Sequence, residues 1–273
     1  MPYDAIIIGA SIIDIPAGPV DASVFSTGSH PVDRLAFKVG GDAINEATVL
    51  SHLGADIKLV SKIGSDPGGD FILQHCSRHR IDTSSIVTDP SMDTGINIVL
   101  IEKNGERSFI TSRSGGLRQL RPEDIDLSVF SESSLLCFAS IFVFPYFQND
   151  DLVRIFSKAK EHGMTLCADI TKCKNKETTE DIREALSYLD FVFPNLAEAQ
   201  MVTRKEDPDE AADAFLDCGV KHAVIKLGKQ GCLIKSRSER IIVPAVPDVV
   251  CLDTTGAGDN FAAGFLYGLI KKQ

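Results

Sequence analysis

Nowhere in the 273 residues does an apolar run approach the roughly 18 residues of a membrane-spanning helix. The amino terminus, MPYDAIIIGASIID, has a short apolar stretch with no basic lead-in, and is expected to form a first core strand of a soluble protein. Positive charge is scarce as well. A formal net charge of −10, spread along the chain, argues against a nucleic-acid or anionic-membrane partner. The seven cysteines are scattered and form no CxxC pair, a usage that fits the reducing cytoplasm. No internal repeat or low-complexity linker divides the chain.

Three familiar site signatures are missing too. There is no GxxxxGK[ST], hence no P-loop. Gly9-Ala10-Ser11-Ile12-Ile13-Asp14 follows the first apolar run where a dinucleotide fold would place GxGxxG, which weighs against a dinucleotide oxidoreductase. His75 and His79 stand at i,i+4 on an expected helix, but no acid follows the first as a zinc-protease helix requires; a surface helix end is expected there.

With 44 % of its residues hydrophobic, the chain can bury a sizeable core. Short apolar runs alternate with helical patterns. Strands are expected at Tyr3–Gly9, Ile57–Lys62, Leu135–Ala139, Met164–Asp169, Phe191–Phe193 and Ala223–Leu227. Helices are expected at Ala43–Leu53, Asp150–His162, Thr179–Leu189 and Asp209–Cys218. This order predicts an α/β fold, a mostly parallel sheet with helices on both faces and ligands at the carboxyl ends of its strands.

Two stretches break the rhythm. In Arg34–Val39, polar-side Arg34, Ala36 and Lys38 alternate with Leu35, Phe37 and Val39. In Ile96–Thr111, two strand-like runs flank Asn104-Gly105, a strong hairpin signal. The first leads into Gly40-Gly41 and the second ends near Gly115-Gly116. Together they predict a small antiparallel lid, about residues 15–39 and 94–113, hinged at glycines beside a site.

Glycines also mark the candidate site. Gly40 and Gly41 let backbone approach a ligand, and Asn45 follows near a helix start, where its amide suits hydroxyls as well as anions. Asp14, beyond the first strand, can accept bonds from sugar-type hydroxyls. Asn195 and Glu198 make a capping box. Lys226-Leu227-Gly228-Lys229-Gln230-Gly231 is a strand end and glycine turn on which phosphate can rest. Most telling is Asp253-Thr254-Thr255-Gly256-Ala257-Gly258-Asp259, whose glycines free consecutive N–H groups at a helix start. Such a turn suits charge developing on a transferring phosphoryl group, with Asp259 facing it to orient and deprotonate an attacking alcohol. The helix dipole is expected to lower the Asp259 pKa. Behind it, Ala262, Ala263 and Gly264 are expected to allow close helix packing.

GGDAIN…LSHLG together with DTTGAGDNFAAGF resembles the two signatures of the PfkB, or ribokinase-like, sugar kinases, and the resemblance spans essentially the whole chain as one domain. It implies ATP- and Mg²⁺-dependent phosphorylation of an alcohol on a sugar or nucleoside. By position Asp259 resembles the catalytic base and Gly256, Ala257 and Gly258 the anion hole. Asp14, Gly40, Gly41 and Asn45 match substrate binders. Asn195 and Glu198 match the motif that organises Mg²⁺ and phosphates, while Lys226, Gly228, Gly231, Thr254 and Thr255 match the nucleotide side. Asp253 sits where many members help bind a monovalent cation, often K⁺. The lid matches one that makes a homodimer contact in many relatives.

Departures from that pattern carry expectations of their own. Lys226 stands where relatives commonly carry Thr. The segment after Leu135–Ala139 lacks an acid that ribokinases place there, which speaks against ribose, and Arg113 is positioned to meet an acidic substrate. Relatives continue past Lys271-Lys272-Gln273 with elements that complete the adenine pocket, so weakened ATP binding is expected of the chain as it stands. A non-catalytic sensor on the same fold is the competing reading, opposed by the intact Gly256, Gly258 and Asp259.

Overall fold

The computed structural model describes residues 1–111, 119–173, 176–249 and 254–272. In chain order, β1 (Ala5–Ile8) is followed by β2 (Ile12–Val20), β3 (Arg34–Leu35), β4 (Lys38–Gly40), α1 (Asp42–His52), β5 (Ile57–Gly64), α2 (Pro67–Arg78) and β6 (Asp82–Asp89). The hairpin β7 (Ile96–Glu102) and β8 (Arg107–Thr111) precedes β9 (Leu135–Ile141), α3 (Asn149–Glu161), β10 (Thr165–Ile170), α4 (Arg183–Leu186) and β11 (Phe191–Val192). The rest comprises α5 (Leu196–Thr203), α6 (Pro208–Asp217), β12 (His222–Lys226), β13 (Cys232–Lys235), β14 (Arg240–Val243) and α7 (Ala257–Ile270).

Among the described residues the large sheet has nine strands in the order β14-β13-β12-β11-β10-β9-β1-β5-β6. Its pairings are parallel from β6 to β12 and antiparallel at the β13 and β14 edge. The period of two in β1 explains the two cores. Ile6 and Ile8 enter one with Phe156 of α3, Val202 of α5 and Phe215 of α6. Ala5 and Ile7 enter the other with Ile44 and Leu50 of α1, Ile72 of α2 and Leu266 of α7. All of these side chains are fully buried, each worth roughly 1.5–3 kcal/mol for a large aliphatic or aromatic one.

Local chemistry sets the helix starts. Asp66 caps α2 through Gly69 N (2.8 Å) with Pro67 in the first turn, and Asp207 caps α6 ahead of Pro208. The expected helix Thr179–Leu189 is shorter: a 3₁₀ turn at Glu180–Ile182 leads into α4. There the Asn149 side-chain carbonyl accepts the Ala185 N–H (3.2 Å), tertiary capture of an amide that a longer helix would have bonded itself.

β2, β3, β4, β7 and β8 form the second, smaller sheet, the expected lid. Most of its pairings are antiparallel, and β2 runs parallel to β7 at its centre. The hairpin turns at Asn104-Gly105, where Gly105 has a φ of +86°.

Candidate active site

α7 begins at the glycine turn. Gly256, the N-cap, has a φ of +70°, in the region that favours glycine, and its carbonyl accepts both the backbone N–H (2.8 Å) and the side-chain amide (2.7 Å) of Asn260. The Ala257 N–H donates to Thr254 O at 3.2 Å, so one of the three amides expected to form an anion hole is already committed. Asp259 follows in the first helical turn. Its Oδ2 accepts a bond from the Asn45 side-chain amide at 2.7 Å, across 214 residues of sequence.

That bond lies between two cavities. One, of about 320 Å³, opens under the lid and is lined by Asp14, Arg34, Lys38, Gly40, Asn45, Thr48, His75 and, from the turn, Thr255, Gly256 and Asn260. The other, of about 460 Å³, lies at the carboxyl ends of the parallel strands. It is lined by Asp42, Ser140, Asp169, Asn195, Glu198, Lys226, Gly228, Gly231, Ala257, Gly258 and Asp259. Asn45 belongs to the first and Asp259 to the second, so their contact joins them.

On the lid side, Asp14 is the third residue of β2 and accepts from Asn97 Nδ2 of β7 (3.1 Å). A Cβ on Gly40 would collide with the Asp14 carboxylate, and one on Gly41, whose φ is +103°, would run into the Ala10 backbone. Burial raises the Asp14 pKa. Thr254, expected beside the nucleotide, instead accepts from Arg107 Nη2 of the lid (3.3 Å), and Thr255 likewise stands on the lid side. Arg113 and Asp253 lie outside the described residues.

On the sheet side, Asn195 and Glu198 form the expected capping box: Asn195 Oδ1 accepts from Glu198 N (2.9 Å) and Glu198 Oε2 from Asn195 N (2.8 Å). Gly228 (φ +60°) and Gly231 (φ +89°) shape the turn after β12. Lys226 ends β12, and its ammonium donates to Asp169 Oδ2 at 2.6 Å with both side chains nearly buried. A Cβ on Gly258 would stand 3.6 Å from Lys226 Nζ, which puts the cation beside the glycine turn. Among the described residues no group of three or more His, Cys, Asp or Glu side chains is arranged to hold a metal ion.

Burial reverses one expectation. The Asp259 pKa is raised, not lowered: desolvation pushes it up most and neighbouring Asp42 adds to this, while Asn45 and Lys226 pull it down. Burial likewise lifts Asp169, to about 7 despite Lys226, and lifts Asp42 and Glu198. Gly264 departs too: it faces open space, and the buried face of α7 is Ala262, Ala263 and Leu266.

Several lining residues were not singled out from sequence. Asp42 accepts from the N–H groups of Ala10 (3.2 Å) and Ala43 (2.8 Å); its signal was its place directly after Gly40-Gly41. Asp169 ends a strand, where such folds bind ligands. His75 stands in the last turn of α2, the helix end expected of it, and is half-buried in the lid-side wall. The Thr48 hydroxyl donates to Ile44 O (2.6 Å), so His75 Nε2–H donates to Thr48 Oγ1 (2.8 Å), and burial lowers the His75 pKa to about 4, leaving a neutral ring.

Comparison with known proteins gives the class. Residues 4–273 match the pfkB family carbohydrate kinase profile. A ribokinase of Staphylococcus aureus (strain COL) is 28 % identical over 239 residues, 86 % of this chain and 75 % of that protein. The 5-dehydro-2-deoxygluconokinase of Geobacillus kaustophilus is 26 % identical over 281 aligned positions, 99 % of this chain and 82 % of that one. Among solved structures, Arabidopsis thaliana ribokinase complexed with ribose and ATP superposes with a TM-score of 0.82 at 21 % identity, covering 100 % of this chain and 88 % of that one. The chain belongs to the pfkB family of carbohydrate kinases, phosphotransferases that act on a hydroxyl group. Kinases of this family use ATP and Mg²⁺. Among the described residues no helix is long and apolar enough to cross a membrane.

Proposed function

We propose that the chain transfers the terminal phosphoryl group of ATP to a hydroxyl of a sugar or sugar-like small molecule, with Asp259 as the general base. The observation that carries this is the Asn45–Asp259 bond at the junction of the two cavities. A sugar under the lid meets Asp14, Asn45 and the backbone at Gly40 and Gly41, with Arg113 as a further contact. The nucleotide occupies the sheet-side cavity along Gly228, Gly231 and Lys226. The reacting hydroxyl and the phosphoryl group then meet at the start of α7, where Gly256 to Gly258 and the helix dipole favour the developing charge.

Burial helps Asp259 in this role, because a carboxylate with a raised pKa is a stronger base than one at the surface. Mg²⁺ is held in such sites by one or two carboxylates and the phosphates themselves, and Glu198, fixed by its capping box with Asn195, is the protein group that fits. When bound, the ion neutralises phosphate charge. Asp253 is the position for a monovalent cation such as K⁺. The Arg107–Thr254 contact ties the lid to the glycine turn. On the lid face turned away from the cavity Leu35, Ile110 and Ile98 are 70, 51 and 37 % exposed, apolar surface suited to a second copy of the chain. The scattered cysteines and the net charge fit a cytoplasmic enzyme of small metabolites.

Relatives named for ribose and for 5-dehydro-2-deoxygluconate stand at similar identity, 28 % and 26 %, so identity does not choose the acceptor. The test is ADP release from MgATP, with and without KCl, across pentoses, hexoses, sugar acids and nucleosides. One class is expected to turn over, and Asp259→Asn to reduce its rate by about 10²-fold or more. Turnover undiminished in Asp259→Asn would remove the proposed base.

A further inference from the structure

One residue of the lid breaks the pattern of its own strand. β7 reads Ile96-Asn97-Ile98-Val99-Leu100-Ile101, a single amide in an apolar run. Asparagine is depleted in strands, and Asn97 is only 9 % exposed, where a valine or isoleucine would pack with no polar group to satisfy. Its side-chain carbonyl, Oδ1, is buried and accepts no hydrogen bond among the described residues, which costs stability. A local rule broken at such a cost points to function.

Register supplies the partner. β2 and β7 run parallel with Asp14 opposite Asn97 and Pro16 opposite Val99. Residues two apart share a face, and Asp14, Pro16, Val99 and Ile101 all line the lid-side cavity, so Asn97 and Asp14 stand side by side at the end of that floor. Asn97 Nδ2 donates to Asp14 Oδ1 at 3.1 Å. The amide turned over would set its carbonyl against a carboxylate, acceptor against acceptor, so the orphaned Oδ1 follows from the bond to Asp14. With Oδ1 held, Asp14 Oδ2 lies beside Gly40, where it would collide with a Cβ. The glycine keeps open the space that this oxygen faces.

We infer that Asn97 is a positioning residue for the acceptor sugar: its amide fixes Asp14 by Oδ1, so that Oδ2 is presented to a sugar hydroxyl beside Gly40. This rests on the kinase reading above and adds to it a residue that acts through Asp14. The same bond favours the ionised carboxylate, opposing the burial that raises the Asp14 pKa. An ionised carboxylate only accepts, which suits hydroxyl donors. Lys38 of β4, opposite Asp14 on the other edge of β2, Arg34 of β3 and the neutral ring of His75 of α2 line the same cavity, but the donor that Asp14 meets is Asn97. Because Asp259 and not Asp14 is the proposed base, the effect is read in KM, with kcat less affected.

The experiment compares the wild type with Asn97→Leu, which keeps the volume and removes the donor, and Asn97→Asp, which restores a donor only while the new carboxyl is protonated. ADP release from MgATP is measured from pH 5.5 to 8.5 with D-ribose, D-fructose and D-gluconate. The Asp14 carboxyl is titrated in parallel by ¹³C NMR, assigned through Asp14→Asn. Asn97→Leu is expected to raise the KM of the sugar that turns over by about tenfold at pH 7, with the KM falling as pH rises through a displaced Asp14 midpoint. In Asn97→Asp the slope is expected to reverse, with the KM lowest at acid pH, where the new O–H donates to Asp14. A residue that merely packs the lid would lower the melting temperature of the variants without putting either slope into KM. An unmoved Asp14 midpoint, or a raised midpoint with an unchanged sugar KM, would overturn the inference and leave the kinase standing. Should none of the three sugars turn over in the wild type, the kinase reading is what fails, and the NMR midpoint alone decides whether Asn97 holds Asp14: raised in Asn97→Leu supports it, unmoved overturns it.

Discussion

Glu46 offers a sharp test of how burial governs this site. It lies one residue past Asn45 on α1, is 0 % exposed, and no strong donor meets its carboxylate oxygens among the described residues; the Cys137 thiol, a weak donor, stands beside it. Burial raises its pKa well above the ordinary glutamate value, and the charges of Asp169, Asp42 and Asp259 push the same way. In the folded chain Glu46 therefore keeps a proton that the unfolded chain gives up above about pH 4.3. The folded state binds more protons, so stability falls as pH rises from that value towards the folded pKa. The slope is about 1.4 kcal/mol per pH unit for one proton. Glu46→Gln keeps the shape of the protonated acid and has nothing to release. The variant is expected to gain on the wild type by about 1.4 kcal/mol with each unit of pH inside that window, roughly 3–6 °C in melting temperature. Urea unfolding of both proteins at half-unit steps from pH 5 to 8 reads the difference directly. Parallel stability curves would refute the reasoning, because they would mean that Glu46 is ionised in the fold.

Asn45→Ala removes the hydrogen bond that holds the Asp259 pKa down, so the acid limb of kcat is expected to move to higher pH; a pH–rate profile with an unmoved limb would discount the contact. Lys226→Met leaves Asp169 buried without its cation and is expected to cost about 3–5 kcal/mol of stability, much of it recovered when Asp169→Asn is added. A denaturation double-mutant cycle measures that coupling, and additive effects would deny it. Gly40→Ala places a methyl group against the Asp14 carboxylate, so the KM for the sugar is expected to rise while the KM for ATP stays level.

The frame of the fold was legible because its parallel strands are short apolar runs bounded by turns. β5, β9, β10 and β12 lie within a residue or two of the expected positions. β6 escaped notice because Asp82–Asp89 is polar and half-exposed, and β14 because its residues are exposed throughout. Glycine punctuation exposed the local motifs of the site, Gly40-Gly41 and Gly256 to Asp259. Contacts between distant segments left no such mark. Nothing local couples Lys226 to Asp169, 57 residues apart, and Glu46 on a buried helix face looks like any charged helical residue. For Arg34 and Lys38 the alternation was visible, but not that their exposed face borders the lid-side cavity.

The sign of the Asp259 shift shows why composition and local geometry did not suffice. A helix N-terminus favours a carboxylate by about 0.3–1 kcal/mol, less than one pKa unit at 1.36 kcal/mol per unit. Burial can move a carboxyl by several units, and here it acts with the nearby charge of Asp42. The dipole loses that contest where the carboxyl itself is largely desolvated, and Asp259 is half-buried against α1 through its bond with Asn45. Its helix position made Asp259 look like a weak base, and the enclosure that sequence does not display makes it a stronger one.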